Sequence, residues 1–163
     1  MSMIPVNIPW DTVYAWCRDV SPLLNGMYNN FYGRPTGIYG EPRGGLPIAV
    51  TLSHFTNLPL ILDLDQHLKD TKGPVLWVDD VIDTGHALKN AYRRLGSDHY
   101  YLALHVKERS KNLLREREAQ PSFMGWWPSL VVPNNYWLIY PWEDGDKALE
   151  DYEDYCRRRG EES

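Results

Sequence analysis

The spacing of hydrophobic residues predicts helices in four parts of the chain. Apolar side chains three and four positions apart indicate a first helix that opens at an N-capping Asp11 and ends before Pro22. The same spacing predicts a second helix over 46–55, a third that closes at Gly96 and a fourth over 146–159. On the second helix the pattern assigns these residues to the inner face: Leu46, Ala49, Val50 and Ser53.

Short apolar runs between these helices predict strands. The run 75–78 is uninterrupted, which is typical of a central parallel strand covered on both faces. Further strands are predicted over 38–39, 58–62, 101–106, 130–132 and 136–140. The polar segment 63–73 is predicted to be a loop, and 108–120 to be irregular or a short exposed helix. Because strands alternate with helices, the pattern favours a single α/β domain over 1–163, with a mostly parallel sheet flanked by helices.

The composition restricts the classes of partner. The chain has 163 residues, 43% of them hydrophobic, which suffices for one domain with a core. A formal net charge of -5 provides no general basic surface, so no nucleic-acid partner is expected. Cys17 and Cys156 match no metal-binding spacing, and no apolar run approaches the ~20 residues of a membrane span. The start of the sequence shows no signal-peptide pattern, so we expect a cytoplasmic protein without a membrane partner.

The most informative motif is the acidic segment that follows the central strand. Asp79 and Asp80 come first, and Asp83, Thr84 and Gly85 complete a predicted turn between this strand and a helix. Ligands of open α/β sheets bind at the carboxyl ends of the strands, and the first amides of a following helix suit a phosphate. We therefore expect both members of the acidic pair to face a ligand cleft, where they bind ribose hydroxyls or Mg²⁺-bound waters. The alternative is that the acidic residues only cap the next helix.

A second candidate site lies one β–α unit earlier. Arg43 is followed by Gly44 and Gly45 at the predicted start of a helix. An arginine fork binds oxyanions, and two glycines permit backbone conformations that other residues avoid. Taken alone, the segment is better explained as an ordinary helix-starting turn with a surface arginine, and its position one β–α unit before the acidic segment is what favours a binding loop.

The segment from Val78 to Gly85 resembles the motif by which type I phosphoribosyltransferases bind 5-phosphoribosyl-1-pyrophosphate (PRPP). The resemblance implies that family's fold. It also implies that Asp79 and Asp80 hold the ribose hydroxyls, and that Asp83 lies near the purine N7 as general base. The positions implied to surround the 5-phosphate are Asp83, Thr84, Gly85, His86 and Ala87. The family usually has a hydroxyl residue where Ala87 stands, so one phosphate hydrogen bond is lost.

Two further segments extend the resemblance to xanthine-guanine and guanine-hypoxanthine phosphoribosyltransferases. Arg43, Gly44 and Gly45 are similar to their pyrophosphate loop, which often holds a non-proline cis peptide, so we predict a cis bond between Pro42 and Arg43. Lys107 follows the strand 101–106, and the last strand carries a Trp-Leu-Ile-Tyr-Pro-Trp-Glu sequence. The residues implied to bind the base are Lys107 on the 6-oxo group, Trp137 stacked on the ring, and the backbone near Leu138 and Glu143. The alternative places Trp137 in the core and Lys107 on the surface.

Taken from Trp10 to Glu143, the resemblance implies a magnesium-dependent enzyme of purine salvage and a homo-oligomer. Such an enzyme transfers phosphoribosyl from PRPP to guanine, xanthine or hypoxanthine and releases pyrophosphate. The chain departs from the family over 63–74, where a long hairpin normally covers PRPP, although the segment 108–127 is long enough to cover the site instead. Because of this departure, a non-catalytic regulator that binds PRPP or a nucleotide remains an alternative function. A phosphoribosyltransferase for another base and an unrelated phosphatase-like domain stay open as well.

Overall fold

The computed structural model describes residues 2–29, 32–111 and 129–160. Six strands and five helices are found in these residues, together with a short 3₁₀ turn over Glu108–Ser110. In chain order they are β1 (Ile4–Asn7), α1 (Trp10–Tyr28), β2 (Ile38–Gly40), α2 (Gly45–Thr56), α3 (Leu64–Asp70), β3 (Leu76–Ile82), α4 (His86–Leu95), β4 (Tyr100–Lys107), β5 (Leu130–Val132), β6 (Tyr136–Ile139) and α5 (Gly145–Arg159). Within the described residues, no helix is long and apolar enough to cross a membrane.

The strands form two parallel sheets. The larger sheet has the order β2-β3-β4-β5, and the smaller sheet pairs β1 with β6. All of these pairs are parallel, as the alternation of strands and helices predicts for an α/β fold. The predicted mostly parallel sheet flanked by helices is therefore confirmed.

The central strands β3 and β4 are buried on both faces, which explains their uninterrupted apolar sequences. On one face Leu76 and Val78 pack in a cluster with residues of α1 and α2. On the other face Trp77 packs with Leu88 and Ala91 of α4. Burying each large aliphatic side chain contributes about 1.5–3 kcal/mol, so this double layer holds β3 in the centre of the sheet.

The first helix is longer than predicted and begins differently. It continues past Pro22 to Tyr28, because Leu24 and Tyr28 remain on its buried face and the proline is exposed on the other. The predicted stop at Pro22 is therefore wrong. Pro9 is the N-cap and no side chain caps the helix, so Asp11 stands in the first turn rather than at the cap.

Other differences concern α2 and the segment that follows it. The buried residues of α2 are Gly45, Ile48, Ala49, Leu52 and Thr56, so the predicted inner face is wrong apart from Ala49, and Val50 is 42% exposed. The predicted strand over 58–62 is a single bridge between Leu60 and Ile38. The predicted loop after it contains α3, which the Asp63 side chain caps by accepting from the Gln66 amide at 2.9 Å.

The acidic segment is a strand for most of its length. β3 continues through Ile82, and both Val81 and Ile82 pair with β4. Only the residues 83–85 form the turn before α4. The predicted turn from Asp79 onward is therefore too long, because pairing with the long strand β4 keeps the backbone extended past the acidic pair.

Candidate functional site

Three loops meet at one edge of the larger sheet because β2, β3 and β4 are parallel neighbours. They are the loop 41–44 after β2, the turn 83–85 after β3 and the 3₁₀ turn after β4. Strand β6 crosses this edge. At the start of β6 the Tyr136 carbonyl accepts from the Lys107 ammonium. Just past the end of β6 the Tyr140 hydroxyl donates to the Asp80 backbone carbonyl at 3.1 Å. The ends of β2, β3 and β4 therefore lie together at this edge, and hydrogen bonds join the ends of β3 and β4 to β6.

A cleft of about 540 Å³, here called the loop cleft, opens beside the loop 41–44. Its lining mixes charges of both signs. The lining residues are Arg43, Gly44, Asp80, Trp142, Glu143, Asp144, Lys147, Ala148 and Asp151. The peptide bond between Pro42 and Arg43 is cis, as the sequence predicts. A lining with both basic and acidic groups suits an anion that is accompanied by a cation.

The two members of the acidic pair line different cavities but contact each other. Asp80 lines the loop cleft and Asp79 lines a cavity by the turn, while a side-chain hydrogen bond joins the two carboxyl groups. The Asp79 carboxylate accepts from the Asp80 amide at 2.9 Å, and the Asp80 carboxylate accepts from the Val81 amide at 2.6 Å. The expectation that both carboxylates face one ligand cleft stays a prediction, because the two side chains contact each other although each lines a cavity of its own.

Burial dominates the electrostatics of this pair. Removal from water, and next the charge of Asp80, raise the pKa of Asp79. Burial also raises the pKa of Asp80, against the hydrogen bond from the Val81 amide. Two adjacent buried carboxylates are costly as free anions, and a cation or hydroxyl donors from a ligand would offset that cost.

The turn after β3 leads through a glycine into the start of α4. Gly85 caps α4 in the left-handed conformation, with φ 78°, which only glycine adopts without strain. A cavity of about 270 Å³, here called the turn cavity, lies along it. Its lining residues are Asp79, Val81, Ile82, Asp83, Thr84, Gly85, His86, Ala87 and Leu88. The free amides and the positive dipole end at the start of a helix suit an anion, which is the ligand that the sequence predicts for this turn.

A third cavity, here called the aromatic cavity, has a volume of about 180 Å³. Lys107 and Trp137 both line it, as the sequence predicts for a base site, and Asp83 and Leu138 line it as well. Tyr152 and Tyr155 of α5 pack against the Trp137 ring, with centroids 6.1 and 5.2 Å away. Val81 and Asp83 belong to both the aromatic and the turn cavity, so the two adjoin.

Lys107 and Glu143 depart from the picture that the sequence gives. Lys107 is 4% exposed, and burial lowers the pKa of its ammonium. The ammonium also contacts the carbonyls of Tyr136 and Pro133, which leaves one of its three N–H groups for a ligand. Glu143 lines the loop cleft, where its carboxylate accepts from the Tyr140 amide at 2.6 Å. It stands beside Asp80 and not beside Trp137.

The structure adds three residues that the sequence did not single out. Arg109, in the turn after β4, forms an ion pair with the Asp83 carboxylate. His105 and Tyr140 form a buried series of hydrogen bonds. His105 Nδ1 lies 2.9 Å from the Tyr140 hydroxyl, and that hydroxyl donates to the backbone carbonyl of Asp80. Because the hydroxyl proton points to Asp80, His105 donates from Nδ1, and burial lowers the pKa of this histidine to about 4. A basic residue two places after Lys107 was the available signal for Arg109.

The residues of the loop cleft fit Mg²⁺ as a shared ion but not as a protein-held one. Within the described ranges, no group of three or more His, Cys, Asp or Glu side chains forms a metal site. Mg²⁺ commonly takes one or two carboxylates and completes its shell with water and substrate phosphates. Asp80 and Glu143 supply such carboxylates opposite Arg43.

Solved structures provide the comparison with known proteins. A purine phosphoribosyltransferase from Pyrococcus horikoshii is 23% identical, with a TM-score of 0.56 over 86% of this chain and 95% of that chain. The xanthine-guanine-hypoxanthine phosphoribosyltransferase of Helicobacter pylori is 16% identical, with a TM-score of 0.57 over 91% and 99%. A Neisseria gonorrhoeae protein with bound ppGpp is 14% identical, with a TM-score of 0.60 over 98% of both chains.

Sequence comparison adds nothing to these likenesses. No protein-family model matches the sequence, and no curated protein is significantly similar to it. At identities of 14% to 23% the structural likeness establishes the fold, which is that of the type I phosphoribosyltransferases. The fold predicted from the acidic motif is thereby confirmed.

Proposed function

We propose that this chain transfers the 5-phosphoribosyl group of PRPP to N9 of a 6-oxopurine and releases pyrophosphate. One observation carries the proposal. The turn cavity and the aromatic cavity share Val81 and Asp83, and the loop cleft begins at Asp80 on the same strand. The turn cavity, the aromatic cavity and the loop cleft therefore lie together at the carboxyl end of β3, which supports binding of PRPP and a purine side by side.

Each subsite has a role in this proposal. The amides from Thr84 to Ala87 hold the 5-phosphate at the start of α4. The adjacent carboxylates of Asp79 and Asp80 take the ribose hydroxyls. Arg43 and the amides of Gly44 and Gly45 hold the pyrophosphate in the loop cleft.

The acceptor base occupies the aromatic cavity. Trp137 stacks on the ring, and Lys107 donates to the 6-oxo group. The N9 lone pair forms the bond to C1′ while the bond from C1′ to the pyrophosphate oxygen breaks. The proton on N7 passes to the Asp83 carboxylate, which acts as general base. Leu138 packs at the edge of the ring.

Mg²⁺, when bound with PRPP, neutralises the charge that develops on the leaving pyrophosphate. Asp80 and Glu143 are the protein carboxylates that would hold it, directly or through water. This assignment moves Glu143 from the base edge, where the resemblance placed it, to the pyrophosphate end of the site.

The proposal is tested by incubating the protein with PRPP, Mg²⁺ and a panel of guanine, xanthine, hypoxanthine, adenine, uracil and orotate. We expect stoichiometric pyrophosphate and nucleoside monophosphate with one or more of the three 6-oxopurines. An Arg43→Ala variant, purified identically, serves as the control for contaminating activity. Pyrophosphate release without nucleotide, or turnover only with a pyrimidine, would refute the assigned acceptor.

A second candidate is a nucleotide-binding regulator on the same fold. The Neisseria gonorrhoeae structure, which covers 98% of both chains, holds ppGpp. In the present chain the segment 63–74 carries α3, whose Leu64 packs with Ile61 and Val75 against the sheet. A packed helix at this place does not reach over the ligand edge as a long hairpin would. Tight binding of guanine nucleotides without turnover of any base in the panel would favour this candidate.

A further inference from the structure

Arg109 makes two contacts with the same acidic residue. Its guanidinium pairs with Oδ1 of Asp83, and its Nε lies 3.4 Å from the Asp83 backbone carbonyl. The neighbouring Ser110 hydroxyl donates to that carbonyl as well. The Arg109 amide donates to the Asn134 side chain at 2.8 Å, which fixes the turn after β4. The bond to Asn134 therefore fixes the backbone of Arg109, and the Arg109 guanidinium binds the Asp83 carboxylate.

The two oxygens of the Asp83 carboxylate have different surroundings. Oδ1 accepts from Arg109, whereas Oδ2 has no hydrogen-bond partner among the described residues. A carboxylate has two acceptor oxygens, so one fixed oxygen determines the direction of the other. Asp83 lines both the turn cavity and the aromatic cavity, and Arg109 lines the aromatic cavity.

We infer that Arg109 is a positioning residue for the proposed reaction. By binding Oδ1 it sets the rotation of the Asp83 carboxylate, so that Oδ2 meets the N–H of the bound base. The inference rests on the proposed function, because it assigns Arg109 to the group that takes the purine proton. A misplaced Asp83 carboxylate lowers the rate of the reaction, because errors of about 1 Å in the reacting geometry reduce rates by roughly a hundredfold.

A purely structural role predicts a different result. The Arg109 and Asp83 side chains are 41% and 48% exposed, and an exposed pair of this kind contributes little to folding. If Arg109 only held the turn 83–85 in place, its loss would disturb the amides that hold the 5-phosphate, and PRPP binding would weaken. If it orients the carboxylate, turnover falls while PRPP binding is retained.

The experiment compares full-length wild type with Arg109→Gln, Arg109→Lys and Arg94→Gln in steady-state assays with the most active base. Arg94 is the matched control, since it forms a comparably exposed ion pair between α4 and Asp65 of α3, and neither partner lines any of the three cavities. We expect Arg109→Gln to lower kcat roughly tenfold to a hundredfold, with the KM for PRPP within about twofold of wild type. Arg109→Lys should recover part of this loss because an ammonium still binds one carboxylate oxygen, and Arg94→Gln should match wild type.

Three outcomes would overturn the inference. They are an unchanged kcat in Arg109→Gln, a fall in kcat matched by an equal rise in the KM for PRPP, and an Arg109→Lys variant no better than Arg109→Gln. Thermal unfolding of each variant separates these results from loss of the fold. A wild type that forms no nucleotide with any base refutes the proposed function itself, which is a different result from an active wild type that does not need Arg109.

Discussion

Gly44 lies directly against the carboxylate of Asp80. A Cβ atom at residue 44 would overlap Asp80 Oδ2, far inside the contact distance. The next glycine has a different neighbour, because a Cβ at residue 45 would overlap the Val78 backbone carbonyl oxygen. Residues 44 and 45 are therefore packed onto β3 with no space for a side chain, the first against a carboxylate and the second against the backbone.

This difference predicts opposite consequences for two similar substitutions. Gly45→Ala forces backbone against backbone and should lower the free energy of unfolding by about 3 kcal/mol. Gly44→Ala meets a side chain that can rotate, so the fold should survive while binding of Mg²⁺ and pyrophosphate is weakened. Urea unfolding and pyrophosphate titration measure the two effects separately.

Gly26→Ala is the matched control for these variants. Gly26 lies inside α1, and a Cβ there has nothing within 4 Å. Replacing a helix-interior glycine by alanine should raise stability by about 0.5–1 kcal/mol. The packing argument fails if Gly44→Ala and Gly45→Ala behave alike in both measurements.

How far the sequence determines the site is clear from the acidic segment. The uninterrupted apolar run before Asp79 predicts a central strand and its position, and the motif after it predicts both the fold and the turn cavity. The end of the strand is not in the pattern, because it depends on pairing with β4 as far as Val106. The sequence therefore placed Asp79 and Asp80 in one turn, whereas the structure places both on the strand β3.

The errors elsewhere have the same origin in tertiary contacts. Strand β1 carries no strong apolar pattern and is a strand because it pairs with β6. The helix α1 passes Pro22 because buried residues on both sides of the proline anchor it. Arg109 could not be recognised as a partner of Asp83, since the two come from loops that only the parallel pairing of β3 and β4 brings together.

Asp83→Asn should reduce turnover roughly a hundredfold or more, because an amide cannot accept the purine proton. PRPP binding should be largely unchanged, since the turn amides and the acidic pair remain. Steady-state kinetics and equilibrium PRPP binding on the same preparations measure the two quantities. Asp70→Asn, an exposed acid at the end of α3, is the control. Unchanged turnover in Asp83→Asn removes this residue from the mechanism.

Asp79→Asn should make the protein more stable in alkaline buffer. Burial and the Asp80 charge raise the pKa of Asp79, so the folded state binds a proton more tightly than the unfolded state. That contribution is present in acid and is lost as the pH rises through the raised pKa, and the variant escapes the loss. We expect its Tm to exceed that of wild type at pH 9 and to match it near pH 4.

Added Mg²⁺ and PRPP should reduce the difference in Tm between Asp79→Asn and wild type at pH 9. The reason is that a bound cation and ribose hydroxyls compensate the buried charge in wild type. Glu153→Gln, an exposed change on α5, should shift neither curve. A gap between Asp79→Asn and wild type that is independent of pH would show that packing, and not charge, causes it.

His105→Asn should make the free energy of unfolding depend less on pH between pH 4 and pH 7. Burial lowers the pKa of His105 from 6.5 to about 4, so between these values the unfolded state binds a proton that the folded state does not. Stability is therefore lost as the pH falls through this window, by roughly 3 kcal/mol in total at this site. Asparagine keeps a donor toward Tyr140 and does not titrate.

Urea unfolding at several pH values between 4 and 7 measures the slope for each protein. The same substitution at the exposed His54 is the control and should leave the slope as in wild type. A slope that His105→Asn leaves unchanged would mean that the acid sensitivity of the fold comes from its carboxylates alone.

Trp137→Ala should weaken binding of the purine by about 1–3 kcal/mol, the usual contribution of one aromatic platform. Tyr152 and Tyr155 of α5 pack against the indole, and the ring also lines the aromatic cavity with Lys107. The platform is therefore supported before the base arrives, and Trp137→Phe should keep much of the affinity. Calorimetry with the product nucleotide and, separately, with pyrophosphate distinguishes the subsites. Because the loop cleft has its own lining, pyrophosphate affinity should be unaffected, and equal weakening of both ligands would mean that the tryptophan supports the fold rather than the base.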